Sequence, residues 1–225
     1  MMLKKHFTFQ ELILLCGVLL LGAALGAAMS SKNVNDQAYA ARCKDNLRRW
    51  GLSVKVYADT YNGFLVPQMI KSTAGKNFTL WSDYDSPLRR MVDPAAKKAV
   101  WEKGNGINGC PAAPANIRRY SYAHNSEVMG QIHINGDGAH RLSALPDAHK
   151  YVVFADSRTS NFMASTYPID SKDKRIGLHH DNGNTAHLTF IDGRIELLAK
   201  KDATLNAPPE IRRKFSPYID GITEW

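Results

Sequence analysis

The chain carries no charge between Leu12 and Met29, and no proline or glycine between Met29 and Gly51. It also lacks Cys-x-x-Cys, Gly-x-Ser-x-Gly, His-Glu-x-x-His and any glycine-rich phosphate loop. The uncharged stretch is suited to an apolar environment, and the breaker-free stretch leaves nothing to stop a helix. Without those motifs there is no activated nucleophile or zinc-protease helix, so no enzymatic activity is expected. Cysteines are few, three in all. Cys16 lies in the apolar run and reads as a small hydrophobe. Cys43 and Cys110 remain, either as a disulfide stapling a head to a helix or as two buried thiols. With no cysteine–histidine cluster along the chain, structural zinc is not expected.

What is present begins with that run. Residues 12–29 are eighteen consecutive apolar or glycine residues, near the low end of the roughly 17 to 25 that a membrane-spanning helix needs. A cleaved signal peptide is the rival reading, supported by Lys4, Lys5 and the small residues Ala27, Ala28 and Ser30. The interruption FTFQE between the lysines and the run speaks against it. The two lysines predict a cytoplasmic N-terminus with the rest exported, into an oxidising compartment. Gly22 and Gly26 form a small-xxx-small step that allows close helix approach.

In CKDNLRRWGLSVKVYADTYNGFLVP, Cys43, Leu47, Trp50, Val54, Tyr57 and Tyr61 form one apolar helical stripe. Asn62, Gly63 and Pro67 supply the stop. The pattern predicts one helix over residues 7–61, its first half in lipid, on the order of 80 Å long. Residues 62–225 then form a head, with a short helix near residues 95–102, strands near 118–122 and 151–157, and a tail from about residue 199.

The clearest local structure is HLTFIDGRIELL. Asp192 and Gly193 are a preferred pair for a two-residue hairpin turn. Counting outward pairs Phe190 with Ile195 and Leu188 with Leu197, and puts those four side chains on one core-facing side. The fold class expected is α+β, a long N-terminal helix packed on a small antiparallel sheet.

Several landmarks together resemble the type IV prepilin and pseudopilin family, in particular its planctomycete-type prepilin-like branch. KKHFTFQELILL resembles the leader junction. The segment from Cys43 to Pro67 resembles Cys-x-x-Asn-Leu-x-x-x-Gly followed by Tyr-Ala and Gly-x-x-x-Pro. CPAAP, YSYAHN, YVVFADS and the His-to-Asp-Gly region HHDNGNTAHLTFIDG follow in order. Two departures stand out: His6 occupies the position where the family usually has glycine, and His180 lies two residues farther from Asp192 than is usual, with His187 between.

The resemblance implies a leader of residues 1–6 cut between His6 and Phe7, a transmembrane stretch at about residues 12–29, and pairing of Glu11 with the amine of Phe7 during assembly. It implies a structural subunit of a pilus-like or type II secretion-like filament, held in the inner membrane by its helix with the head exported, and found in a cell-surface or periplasmic filament after assembly. Its partners would be copies of itself or other pilin-like subunits, prepilin peptidase, an inner-membrane assembly platform and membrane lipid. The alternatives are an anchored exported binding module that does not polymerise and a DNA-binding uptake pilin. Nucleic acid as a partner rests on paired basic residues such as Arg48–Arg49, Arg118–Arg119 and Arg212–Arg213 near aromatic residues, on a chain of formal charge +8.

No cofactor is expected. His179, His180, His187, Asp156, Asp181 and Asp192 lie in a loop, a strand start and a turn, without ion-site spacing. Calcium is the one ion with a rationale, through the oxygen-rich loops DNGN and SDYDS.

Overall fold

A computed structural model describes residues 9–70, 79–130, 139–158, 162–163, 176–203 and 208–216. The chain divides into two compact units, Met1–Ala38 and Tyr39–Trp225. Helix α1 (Phe9–Thr60) contributes to both. It meets no proline, and it stops where Asn62 and Gly63 adopt positive φ, with Gly63 N–H donating to the Ala58 carbonyl at 2.8 Å.

Among the described residues, no helix is long and apolar enough to cross a membrane. Within the uncharged run, the side chains described without a break are those of residues 13–22, well short of the about 20 apolar residues that a crossing takes. This overturns the transmembrane stretch at residues 12–29 and the inner-membrane location. It also overturns the pilin-like fold class, the prepilin resemblance, and the filament subunit that was to polymerise through that helix. The anchored-module and uptake-pilin alternatives fall with it. His6 and Phe7 lie outside the described residues, as do the surroundings of Glu11 and Gly26. Gly22 is exposed, and a Cβ there would meet nothing within 4 Å.

The second unit follows from the apolar stripe. Cys43, Leu47, Trp50, Val54 and Tyr57 are buried, while Tyr61 turns outward. Trp50 lies edge-on to Trp81 and Trp101, with ring centroids 5.0 and 5.8 Å away. Each buried indole keeps a partner for its N–H: Trp50 donates to the Ile107 carbonyl at 3.1 Å and Trp101 to that of Ser82 at 2.8 Å. The segment after α1 pairs β1 (Met69–Ile70) with β2 (Thr79–Leu80). Two short helices follow, α2 (Pro87–Val92), capped by the Ser86 hydroxyl and opened by Pro87, and α3 (Lys98–Glu102).

The main sheet is built from β3 (Tyr122–Asn125), β4 (Val152–Asp156), β5 (Phe162–Met163), β6 (Thr185–Phe190) and β7 (Ile195–Ala199). Helix α4 (Ser126–Met129) directly follows β3, and α5 (Pro209–Arg213) follows β7. The strand order is β5-β3-β4-β6-β7, with only the β3–β5 pair parallel. One face joins the aromatic cluster around Trp50. The other buries Val152, Ala155, Leu188, Phe190, Leu198 and Phe215. Gly51 marks the close approach of α1 to the sheet: a Cβ there would lie 2.5 Å from Thr189 Cγ2 and 2.7 Å from the Phe190 carbonyl oxygen. The chain after β7 is part of this unit, since Val152 N–H donates to the Lys214 carbonyl at 2.7 Å and the Asn125 amide to that of Phe215 at 2.8 Å.

The β6–β7 hairpin differs from the sequence expectation by one residue. Phe190 N–H donates to the Arg194 carbonyl and Gly193, at φ 78°, donates to the Phe190 carbonyl, so the loop holds three residues, Ile191, Asp192 and Gly193. Thr189 therefore pairs with Ile195, Leu188 with Glu196 and His187 with Leu197. The side chains change face accordingly: Leu197 is 65% exposed, and Leu198 takes the core place at 1%. Leu188 and Phe190 stay in the far-side core, while Ile195 is half-buried against the α1-side cluster.

Candidate metal centre

The same register turns His187 toward α1's side of the sheet. The Ala155–Leu188 pair of the β4–β6 ladder puts Asp156 beside His187 one step farther on. There His187 N–H donates to Asp156 Oδ2 at 2.7 Å and its ring Nδ1 lies 3.2 Å from the same oxygen. His180 arrives from the loop before β6. Asp181, Asn182 and Gly183 all take positive φ, residue types that tolerate the left-handed region. The chain thereby doubles back, and His180 and Thr185 pair as an isolated bridge. Its Nε2 stands 3.1 Å from Asp156 Oδ2, and the two imidazoles lie 4.2 Å apart between centroids.

All three side chains are buried. Asp156 Oδ1 and His180 Nδ1 have no hydrogen-bond partner there. Burial alone would push the Asp156 carboxyl up, but the hydrogen bonds and charges of His180 and His187 outweigh it and hold it down, at about 2. On the neighbouring strand, burial and then the Asp156 carboxylate drive the Tyr122 phenol well above its ordinary value.

A second group adjoins the first. Cys43 on α1 and Cys110 are joined by a disulfide across 67 residues, with Cα atoms 4.9 Å apart. Cys110 Sγ lies 3.6 Å from His180 Nε2. His180 thus belongs to two sets of convergent ligand atoms, Asp156–His180–His187 and Cys43–Cys110–His180, each lying within 4.8 Å.

The residues fit a transition metal by geometry and by chemistry. Zinc bonds of 2.0 to 2.1 Å to nitrogen and oxygen imply ligand–ligand edges of about 3.3 Å in a tetrahedron. The 3.1 and 3.2 Å separations around Asp156 Oδ2 match that edge. Two imidazoles and one carboxylate suit zinc, iron, copper or nickel, and not calcium, which takes six to eight oxygens. The expectations of no cofactor and of calcium are both corrected by these clusters. The loops invoked for calcium use their oxygens elsewhere: Asp83 caps the Leu80 N–H at 3.0 Å and pairs with Arg119 at 3.7 Å, and the DNGN loop serves to place His180.

The other sequence candidates are not drawn into this centre. Asp192 accepts from Arg194 N–H inside the hairpin loop, and His179 contacts the Ser157 carbonyl. Several residues of the supposed nucleic-acid face make internal contacts. Arg49 donates to the Val92 carbonyl, and Arg89 is buried with its donors on Tyr84 and Asp93. The metal-ligating roles of Asp156, His180 and His187 were missed because the three come from a strand end, a loop and a neighbouring strand.

Comparison with protein families, with curated proteins and with solved structures finds no match for this chain.

Proposed function

We propose that this protein holds a resident divalent transition metal, zinc by ligand type, on Asp156, His180 and His187, and that the metal's role is structural rather than catalytic. The observation that carries the reading is the convergence of three buried ligand atoms on one point while Asp156 Oδ1 and His180 Nδ1 go unpartnered. A half-satisfied polar cluster in a low-dielectric interior is costly, and a cation between the ligands offsets that cost. The side chains of His180, His187 and Asp156 are only 3%, 5% and 0% exposed, which leaves a substrate no approach. A closed site of this kind ties β4, β6 and the His180 loop together, and metal binding then adds to folding free energy.

The test is elemental analysis of the full chain purified without chelator, followed by zinc titration after chelator treatment. The expected result is one tightly bound equivalent, lost in His187→Ala with the fold retained by circular dichroism. A chain that carries no metal and takes up none in the micromolar range refutes the proposal, and the triad is then a proton-sharing network.

A further inference from the structure

We propose that reduction of the Cys43–Cys110 disulfide opens a second, sulfur-rich metal site that shares His180 with the first, so that metal affinity and thiol redox state are coupled. The inference depends on the preceding reading only in taking His180 as a ligand; it does not need the Asp156–His180–His187 site to be filled.

The geometry rests on one atom. His180 Nε2 lies 3.1 Å from Asp156 Oδ2 on one side and 3.6 Å from Cys110 Sγ on the other. With the disulfide intact, both sulfurs are bonded to each other and are poor ligands, which leaves the carboxylate and the two imidazoles. With it cleaved, Cys43, Cys110, His180 and Asp156 make a four-ligand S2NO set, the closed tetrahedral kind that structural zinc prefers. His187 is then released to its hydrogen bond with Asp156. Both cysteines are wholly buried, so two free thiols would stand in the core without a charged partner, whereas two thiolates on a cation are neutralised. Soft sulfur ligands also favour zinc or copper(I) over harder ions.

The redox step needs an external dithiol. One of its thiolates attacks a sulfur of the Cys43–Cys110 bond, which breaks to give a mixed disulfide and a free thiolate. The second thiol of the reductant then displaces the remaining protein sulfur and leaves as a cyclic disulfide. Two electrons pass to the protein, both cysteines end as thiols, and metal binding expels their two protons.

Cobalt(II) and zinc are the probes, added to the full chain in its oxidised form and after anaerobic reduction and removal of the dithiol. Reduced protein should show thiolate-to-cobalt charge-transfer absorption and bind zinc about 100-fold more tightly than oxidised protein. By reciprocity, zinc should ease reduction by the same factor, a shift of about 59 mV in the disulfide's potential. His187→Ala should abolish binding by the oxidised form and keep the cobalt–thiolate band in the reduced form, and His180→Ala should weaken both. The double variant Cys43→Ser with Cys110→Ser should lose the band; if it does not fold, the His187→Ala contrast carries the test. Equal zinc affinity in the two redox states, cobalt bound without thiolate absorption, or a disulfide whose potential ignores zinc would each overturn the proposal. If the oxidised chain binds no metal while the reduced chain does, the structural-metal reading of the triad fails and this inference stands.

Discussion

Two buried histidines on one sheet, His124 on β3 and His187 on β6, show what separates a packed imidazole from a ligand. His124 lies against Trp81, with ring centroids 6.0 Å apart, and its Nε2–H donates to the Val66 carbonyl at 2.7 Å. No carboxylate is among the groups that set its charge. Burial, only partly countered by its hydrogen bonds, pushes its pKa down to about 4. His187 faces Asp156 at 3.2 Å, and His180 faces the same oxygen from the other side. One histidine behaves as a flat apolar ring with a single polar tether. The other belongs to a charged cluster that can exchange protons for a cation. The carboxylate makes the difference, and it comes from the strand between them.

Removing that carboxylate is the strongest way to break the contrast. Asp156→Ala strands two imidazoles and the His187 N–H without their shared acceptor. Stability should fall by about 3–5 kcal/mol, the usual cost of breaking a buried charged pair. Urea unfolding of the full chain measures it, and metal uptake should vanish in the same variant. A loss below about 1 kcal/mol would mean that Asp156 is no more than a tolerated polar group.

Acid separates the two histidine environments next. His124 is neutral in the fold, while the unfolded chain takes up a proton near the model value of 6.5. Its contribution is therefore complete above that pH and is lost as pH falls toward 4, by up to about 3 kcal/mol. His140, whose pKa burial also lowers, acts in the same direction. Asp156 works in a lower window: its depressed pKa contributes stability above 3.8 that is lost as pH falls through about 2. Urea midpoints between pH 8 and pH 3 should decline from about 6.5 downward, and His124→Leu should flatten the slope between 6.5 and 4 despite lowering stability throughout. An unchanged slope in that variant would assign the acid sensitivity to other groups.

The sequence made the helical part of this unit legible and most of the metal centre illegible, for different physical reasons. A helix repeats its buried face every three or four residues, so Cys43, Leu47, Trp50, Val54 and Tyr57 announce one side of α1 within fifteen residues. The metal-ligand set has no such local period. His180 sits 70 residues from Cys110, and His187 sits 31 from Asp156. Only the strand order β4-β6 brings them together. The absence of a Cys–His cluster along the chain therefore said nothing about one in space. The apolar run at residues 12–29 was read for crossing length, and that reading is the one the described structure overturns.

The hairpin fails on a finer point, because Asp-Gly suits both a two-residue turn and the last two places of a three-residue loop closed by a positive-φ glycine. Two adjacent leucines, Leu197 and Leu198, then let either register bury one of them. The observed register places Leu198 with Val152, Ala155, Leu188 and Phe190 and leaves Leu197 outside. It also fixes His187 on the Asp156 side, so the two leucines report on the metal centre's framework. Leu198→Ala should cost about 2–3 kcal/mol, toward the lower end for a buried leucine because β7 is an edge strand that can relax. Leu197→Ser should change stability by no more than about 0.5 kcal/mol, as at other exposed positions. Urea unfolding of the two variants reads the difference directly. A larger loss at Leu197 than at Leu198 would restore the two-residue turn, rotate His187 away from Asp156 and dismantle the proposed ligand set; the observed order keeps His187 where Asp156 Oδ2 can share it with His180.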